Sequence, residues 1–292
     1  MSDIIYWQET KIKLKGLVIL VFKRIFSVLF SPFTAFEDIK SIPETVGPMF
    51  LLLLLFTLQV VFLNFVSSKT VIEVYNYTGG NLTISPLVFD LKNSSLVVDY
   101  VGNTSTKPVA VLPYGSIFYK NADFFSALFL VSIIIYWFLL YVLTKITCKI
   151  LKGNSQYFFS ATGYFLTILL ISSIFRASTT FIFLNNISGI RIRVPAMALY
   201  NPLFVDQLVI DSVNRCISFL FQLAQDATTW LQSFLTLWSF VMLIALFNSL
   251  GEMSLKRSIV ASLIAGISFY MLYGALLNSV YSLIVVIFSG LG

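Results

Sequence analysis

Histidine is absent from the 292-residue sequence, and cysteine occurs only twice. Without histidine the usual zinc and haem ligands are missing, and a serine-histidine-aspartate relay cannot be assembled. No Cys-x-x-Cys pair occurs, and the topology derived below puts Cys148 and Cys216 on opposite faces of a membrane, out of disulfide reach. The phosphate loop GxxxxGK[ST], the GxSxG elbow and HExxH are also missing. No catalytic, cofactor-binding or metal-ligating residue is therefore expected, and the chain reads as a non-enzyme. Charge is scarce as well: 11% of residues are Asp, Glu, Lys or Arg, against about 25% in a soluble domain.

Apolar residues fill the space, at 58% of the chain. They concentrate in five stretches, 46–66, 124–144, 157–183, 230–250 and 259–288. None contains Asp, Glu or Lys, and Arg176 is the one charge within them. Each reaches the roughly 20 residues that carry a helix across about 30 Å of hydrocarbon. Backbone groups in lipid must be satisfied internally, so these segments are helical. The fold class that follows is an all-α polytopic bundle of five transmembrane helices. The fifth stretch is longer than a span needs, so it either tilts or breaks near Gly274 to Asn278.

The formal charge of +6 suggests nucleic acid until the charges are placed along the chain. With a cytoplasmic N-terminus the inner segments hold eleven basic residues against six acids, and the outer loops seven against seven. Basic residues near span ends set orientation. The expected plan is N-terminus cytoplasmic and C-terminus extracytoplasmic, with the lipid bilayer as partner and no nucleic acid. Five Asn-x-Ser/Thr acceptors, at Asn76, Asn81, Asn93, Asn103 and Asn186, all fall in the two loops assigned outside. Only translocated asparagine can be glycosylated, so these are the glycosylation candidates.

Residues 1–45 read as a cytoplasmic basic tail with amphipathic interfacial helices. A cleavable signal is not expected, because Lys23-Arg24 splits the first apolar run. Lys11, Lys13, Lys15, Lys23 and Arg24 instead suggest a helix in the headgroup layer of an anionic leaflet. Ser31-Pro32 is a helix start, with Ser as N-cap and Pro at the first helical position. Phe33, Phe36, Ile39 and Ile42 follow at helical spacing, ending near Pro43. Gly47-Pro48 opens the first span, where proline is tolerated.

Residues 67–123 alternate apolar and polar positions, with turn signals at Gly79-Gly80, Lys92-Asn93-Ser94 and Gly102-Asn103. A small antiparallel, β-rich extracytoplasmic insertion is expected between helices 1 and 2. The second outer loop, 184–229, is expected to turn helical after Arg191 to Pro195, through Phe204, Leu208, Asp211, Arg215 and Phe219. It either lies on the outer leaflet or extends the fourth helix.

Arg176 is a functional-site candidate because an intramembrane charge is costly. Its position late in the third span also lets it snorkel to the outer headgroups, which is the favoured reading. Gln59, Asn64, Gln232, Asn248 and Asn278 suit interhelical hydrogen bonds; a substrate path is the alternative.

Ser31-Pro32-x-x-Ala35-Phe36-x-x-Ile39, then Pro43 and Gly47-Pro48, resembles the opening segment of the Yip family of membrane proteins, named for interaction with Ypt/Rab GTPases. Gly163-Tyr164 resembles its glycine-tyrosine motif, and Trp238 to Gly251 followed by Lys256-Arg257 is similar to its turn between helices 4 and 5. The resemblance covers residues 23–66 and 124–288 and points to a prokaryotic or archaeal type of member. Thr45-Val46 stands where eukaryotic members carry an acid before glycine-proline, and Phe165 where they often have serine. The resemblance implies a non-enzymatic scaffold in the cell membrane, linked to membrane organisation or trafficking. A cytosolic partner at the N-terminal region and a homo- or hetero-oligomer are implied partners. Two other classes stay open: a solute transporter or channel component built on Arg176, Gln59, Asn64 and Asn278, and a surface receptor or adhesion module built on the β-rich insertion.

Overall fold

The computed structural model describes residues 14–76, 88–100, 107–114, 122–196, 212, 215–216, 219 and 225–289. The helices are α1 (Leu14–Phe30), α2 (Pro32–Ser41), α3 (Val46–Ser68), α4 (Ala122–Ile150), α5 (Phe158–Gly163), α6 (Leu166–Asn185), α7 (Gln225–Ala245) and α8 (Leu255–Ser289). Strands β1 (Thr70–Tyr75), β2 (Val88–Asp90), β3 (Ser95–Asp99) and β4 (Ala110–Pro113) follow α3, and β5 (Gly189–Pro195) follows α6.

Five helical segments are long and apolar enough to cross a membrane: Val46–Ser68, Leu128–Ile150, Phe158–Asn185, Thr229–Leu250 and Leu255–Val280. With the apolar composition, they make the chain a multi-pass membrane protein. The third is interrupted between α5 and α6. There the amides of Tyr164, Phe165 and Thr167 bond the carbonyls three residues back, a local 3₁₀ winding. The fourth ends in a π-helical turn, Leu246–Leu250. The fifth is unbroken: α8 passes through Gly274 and Asn278 as one 35-residue helix.

The chain divides into two compact units. The first comprises residues up to Leu51, Ile135–Thr167 and those from Trp238 on. In it α2 packs on α1, α5 and the π-helical turn. Pro32, Ala35, Phe36 and Ile39 form the buried face of α2. Phe33 and Ile42, expected on that face from their spacing, are exposed. A helix rotates 100° per residue, and contact on two sides by α1 and the π-turn selects the 32/35/36/39 stripe instead.

The second unit is Leu52–Ile134 with Ile168–Leu237. Its sheet has the order β2-β3-β5-β1-β4. This corrects the expected antiparallel insertion. The sheet is mixed, because β5 lies parallel to both β1 and β3 while β1–β4 and β2–β3 are antiparallel. It is also not confined to the loop between helices 1 and 2, since its central strand comes from the segment after α6. Parallel neighbours need a long crossover, and here the crossover runs through α4, α5 and α6. Ile72, Val74, Leu96, Val98, Ile190, Ile192 and Val194 share one face and are buried with Phe62, Val66, Leu184 and Cys216.

Of the expected helical stretch in the second loop, Ser212, Arg215, Cys216 and Phe219 are described, each helical. Phe204, Leu208 and Asp211 lie outside the described residues, as do Asn81, Asn103, Lys11 and Lys13. Both cysteines are free and buried.

Candidate functional site

The densest polar constellation of the first unit lies where α1, α2 and the start of α3 meet. Arg24 is fully buried, carried on the same stripe of α1 as Val21, Ile25 and Val28. Its Nε donates to Asp38 Oδ2 at 3.0 Å, Nη1 to Glu44 Oε1 at 3.3 Å and Nη2 to the Asp38 carbonyl at 2.9 Å. Arginine is suited to this role because its planar fork satisfies several acceptors while remaining charged. The headgroup role expected for Arg24 is thereby corrected: burial with two carboxylates takes it away from lipid phosphate. Lys23 beside it is exposed.

Glu44 is the second pivot. One carboxylate oxygen accepts from the Gly47 amide at 2.7 Å, satisfying an otherwise unpaired donor at the start of the first span and placing negative charge at the helix N-terminus. The other takes Arg24 Nη1 and the Tyr164 hydroxyl, and the Glu44 carbonyl accepts from the Ser160 hydroxyl. A carboxylate thus stands three residues before Gly47. This corrects the reading that Thr45-Val46 leaves the glycine-proline without its acid.

Two glycines make the approach possible. A Cβ on Gly47 would collide with Tyr164 Oη and sit 2.7 Å from its Cζ. On Gly163 it would meet Pro48 Cγ at 2.6 Å and Trp137 Cε2 at 2.9 Å. Trp137 is held by its Nε1 donating to the Phe159 carbonyl at 3.0 Å and by stacking on the Phe159 ring. The glycine-tyrosine pair and the glycine-proline pair are therefore one steric and electrostatic unit. Phe36, fully buried, stacks on Phe165 at 6.2 Å.

Ser31 occupies the N-cap position of α2 without a side-chain cap bond; its carbonyl accepts from the Ala35 amide and the Thr34 hydroxyl. Pro32 is the first helical residue, and Pro43 follows the helix end at Ile42. At the other side of α2, Ser249 Oγ donates to the Phe33 carbonyl at 3.2 Å, and Lys40 Nζ reaches Glu252 at 2.6 Å. Gly251, buried, closes the π-turn by donating to the Leu246 carbonyl.

A second polar cluster lies on the sheet of the other unit. Alternation puts Glu73, Tyr75, Arg191, Arg193 and Asp99 on the face opposite the core. Glu73 receives Arg191 at 3.1 Å and Arg193 at 3.3 Å, and Arg193 also reaches Asp99 at 3.5 Å. Burial, then the neighbouring Glu73 charge, pushes the Tyr75 hydroxyl above its ordinary pKa.

Arg176 is exposed on α6 with its guanidinium 5.8 Å from the Phe62 ring centre. Asn64 and Asn278 are also exposed, and Gln59 is half-buried. None of these is drawn into either cluster. Asn76, Asn93 and Asn186 are exposed. Asn93 donates to Asp90 Oδ2 at 2.7 Å, which holds the Asp90 carboxyl below its ordinary range, and Asn186 donates to the Ile182 carbonyl at 2.8 Å. Among the described residues no group of three or more His, Cys, Asp and Glu could hold a metal.

Arg24 and Glu44 are the residues that sequence reasoning missed. The signal was present: Arg24 shares a stripe with Val21 at i−3 and Val28 at i+4, and Glu44 sits at capping distance from Gly47. No curated protein and no solved structure matches the chain. The family model of the Yip1 domain matches residues 26–277, a span that contains Glu44, Gly47-Pro48, Gly163-Tyr164 and Gly251, and the chain belongs to the Yip1 domain family.

Proposed function

We propose that this protein is a non-enzymatic membrane scaffold whose α1–α2 hairpin, on the cytoplasmic side, is a rigid platform for a cytosolic protein partner in membrane organisation or trafficking. The observation that carries the reading is the buried Arg24, which ties α1 to α2 through Asp38 and to the start of α3 through Glu44. A hairpin so fixed offers Phe33, Glu37, Ser41 and Ile42 outward at little ordering cost on binding, the general advantage of preorganisation. Family membership and the surplus of cations on the same side of the spans support it. In this reading the N-terminus is cytoplasmic, the C-terminus and the sheet are extracytoplasmic in the cell membrane, and Asn76, Asn93 and Asn186 are available to glycosylation. A transport path through Arg176, Asn64 and Asn278 gains no support, as all three side chains are exposed.

Crosslinking mass spectrometry on native membranes tests this, comparing wild type with Phe33→Ser/Glu37→Lys. Both positions are exposed, so the fold is expected to survive the change. A cytosolic protein crosslinked to α2 in wild type and lost in the variant is the expected result. Crosslinks confined to proteins on the sheet side, and unchanged by the variant, sink the reading.

A further inference from the structure

The loop after α4 and the loop before α8 are joined. The Asn154 amide donates to the Gly251 carbonyl at 3.0 Å, and the Cys148 thiol donates to the Asn154 carbonyl at 3.1 Å. Flanking the junction are Lys149 at the end of α4, Lys152 in the loop after it, and Lys256 and Arg257 at the start of α8, all four exposed. Their charges are not balanced within the unit. Its carboxylates among the described residues are Glu37, Asp38, Glu44 and Glu252. Asp38 and Glu44 are taken by Arg24, and Glu252 by Lys40. Glu37 is exposed on α2 and forms no ion pair among the described residues.

Local helix electrostatics make the excess worse. Lys256 and Arg257 stand in the first turn of α8, where the partial positive charge of the helix end disfavours cations. Their depth is also fixed. Lys149 lies in the last turn of the Leu128–Ile150 span, Lys256 and Arg257 in the first turn of the Leu255–Val280 span, and Lys152 just beyond the former. One turn is about 5.4 Å, so all four lie at the level of lipid headgroups when these helices span a bilayer.

We infer that this two-loop junction is a binding site for the phosphate of an anionic phospholipid headgroup, held by Lys149, Lys152, Lys256 and Arg257. Arginine supplies a planar fork for phosphate oxygens and lysines supply point charges. The site needs no protein partner, and its four cations are not among the exposed α2 residues offered to one, so it survives failure of the scaffold reading.

The test is native mass spectrometry of the full-length protein in detergent, titrated with phosphatidylglycerol or phosphatidylcholine of identical chains. Wild type is expected to retain the anionic lipid with a preference of about five-fold or more, and Lys152→Gln/Arg257→Gln to lose most of it. Lys92→Gln/Lys107→Gln, which removes two cations from the other unit, is expected to keep it. Orientation is checked by protease accessibility, and the double variant leaves Lys149 and Lys256 to preserve it. Equal preference in wild type and Lys152→Gln/Arg257→Gln overturns the assignment. Release of the lipid by excess inorganic phosphate alone also overturns it, in favour of a soluble anion.

Discussion

Each unit of the molecule centres a glutamate on arginine, and the two arrangements differ mainly in water. In the helical unit Arg24 is 1% exposed and Glu44 10%. In the sheet unit Glu73 is 8% exposed, but its partners Arg191 and Arg193 remain 36% and 34% exposed. The first arginine has given up its hydration and depends on Asp38, Glu44 and a backbone carbonyl to replace it. The sheet arginines keep much of theirs. The same pair of residue types therefore serves as a structural keystone in one place and as a trimming interaction in the other.

The largest expected effect breaks the keystone. Arg24→Met strands the buried Glu44 carboxylate, while Asp38, 36% exposed, falls back on water; the change should destabilise the helical unit by about 3 kcal/mol, read by tryptophan fluorescence during denaturation in detergent. Adding Asp38→Asn and Glu44→Gln to that variant should recover much of the loss. A single substitution without effect would mean that Arg24 is hydrated after all. Next, Gly47→Ala and Gly163→Ala should each cost about 1–3 kcal/mol through overpacking in the same assay. Tyr164→Phe should relieve part of the Gly47→Ala loss, because it removes the hydroxyl oxygen that the new methyl meets first. A Gly47→Ala cost unchanged by Tyr164→Phe would detach the tyrosine from the clasp.

The smallest effect belongs to the sheet. Glu73→Gln should cost about 1 kcal/mol or less once solvent screening is allowed for, with a dependence on salt that Arg24→Met lacks. Tyr75 adds a pH signature. Its pKa is raised by burial and then by Glu73, so its contribution is complete below the unfolded tyrosine value near 10 and fades as pH climbs towards the folded one. Replacing Glu73 removes a raising influence and narrows that alkaline loss, which a pH series of circular dichroism melts would record. A salt-insensitive Glu73→Gln would erase the contrast between the two units.

What was legible in the sequence was local. Apolar runs reveal helices because lipid leaves the backbone no other solution. Gly47-Pro48 is legible as a span start and Gly163-Tyr164 as a family-like motif, but the packing of the two pairs together is not. The sheet was read as antiparallel because β1 to β4 follow one another, whereas their central neighbour is written after two further spans. Arg191-Ile192-Arg193-Val194 alternates as a strand should, yet nothing local says what it pairs with. Arg24 beside Lys23 reads as one more basic residue of a tail. Only the positions of Asp38 and Glu44 in other elements turn it inward, and such pairing across elements is invisible to periodicity. The continuity of α8 through Gly274 reflects a helix hydrogen-bonded within itself, which tolerates a single glycine.

The place of β5 also sets an order of events in synthesis. In the sheet β5 lies between the β1–β4 and β2–β3 ribbons, so without it each ribbon would have an unpaired edge. The strand that joins them appears only after α4, α5 and α6, a delay on the order of ten seconds at ordinary translation rates. Any ribbon formed in that interval would leave an edge open to pairing by another chain. Completion of the sheet therefore waits on synthesis of the third span, which precedes β5 in the chain.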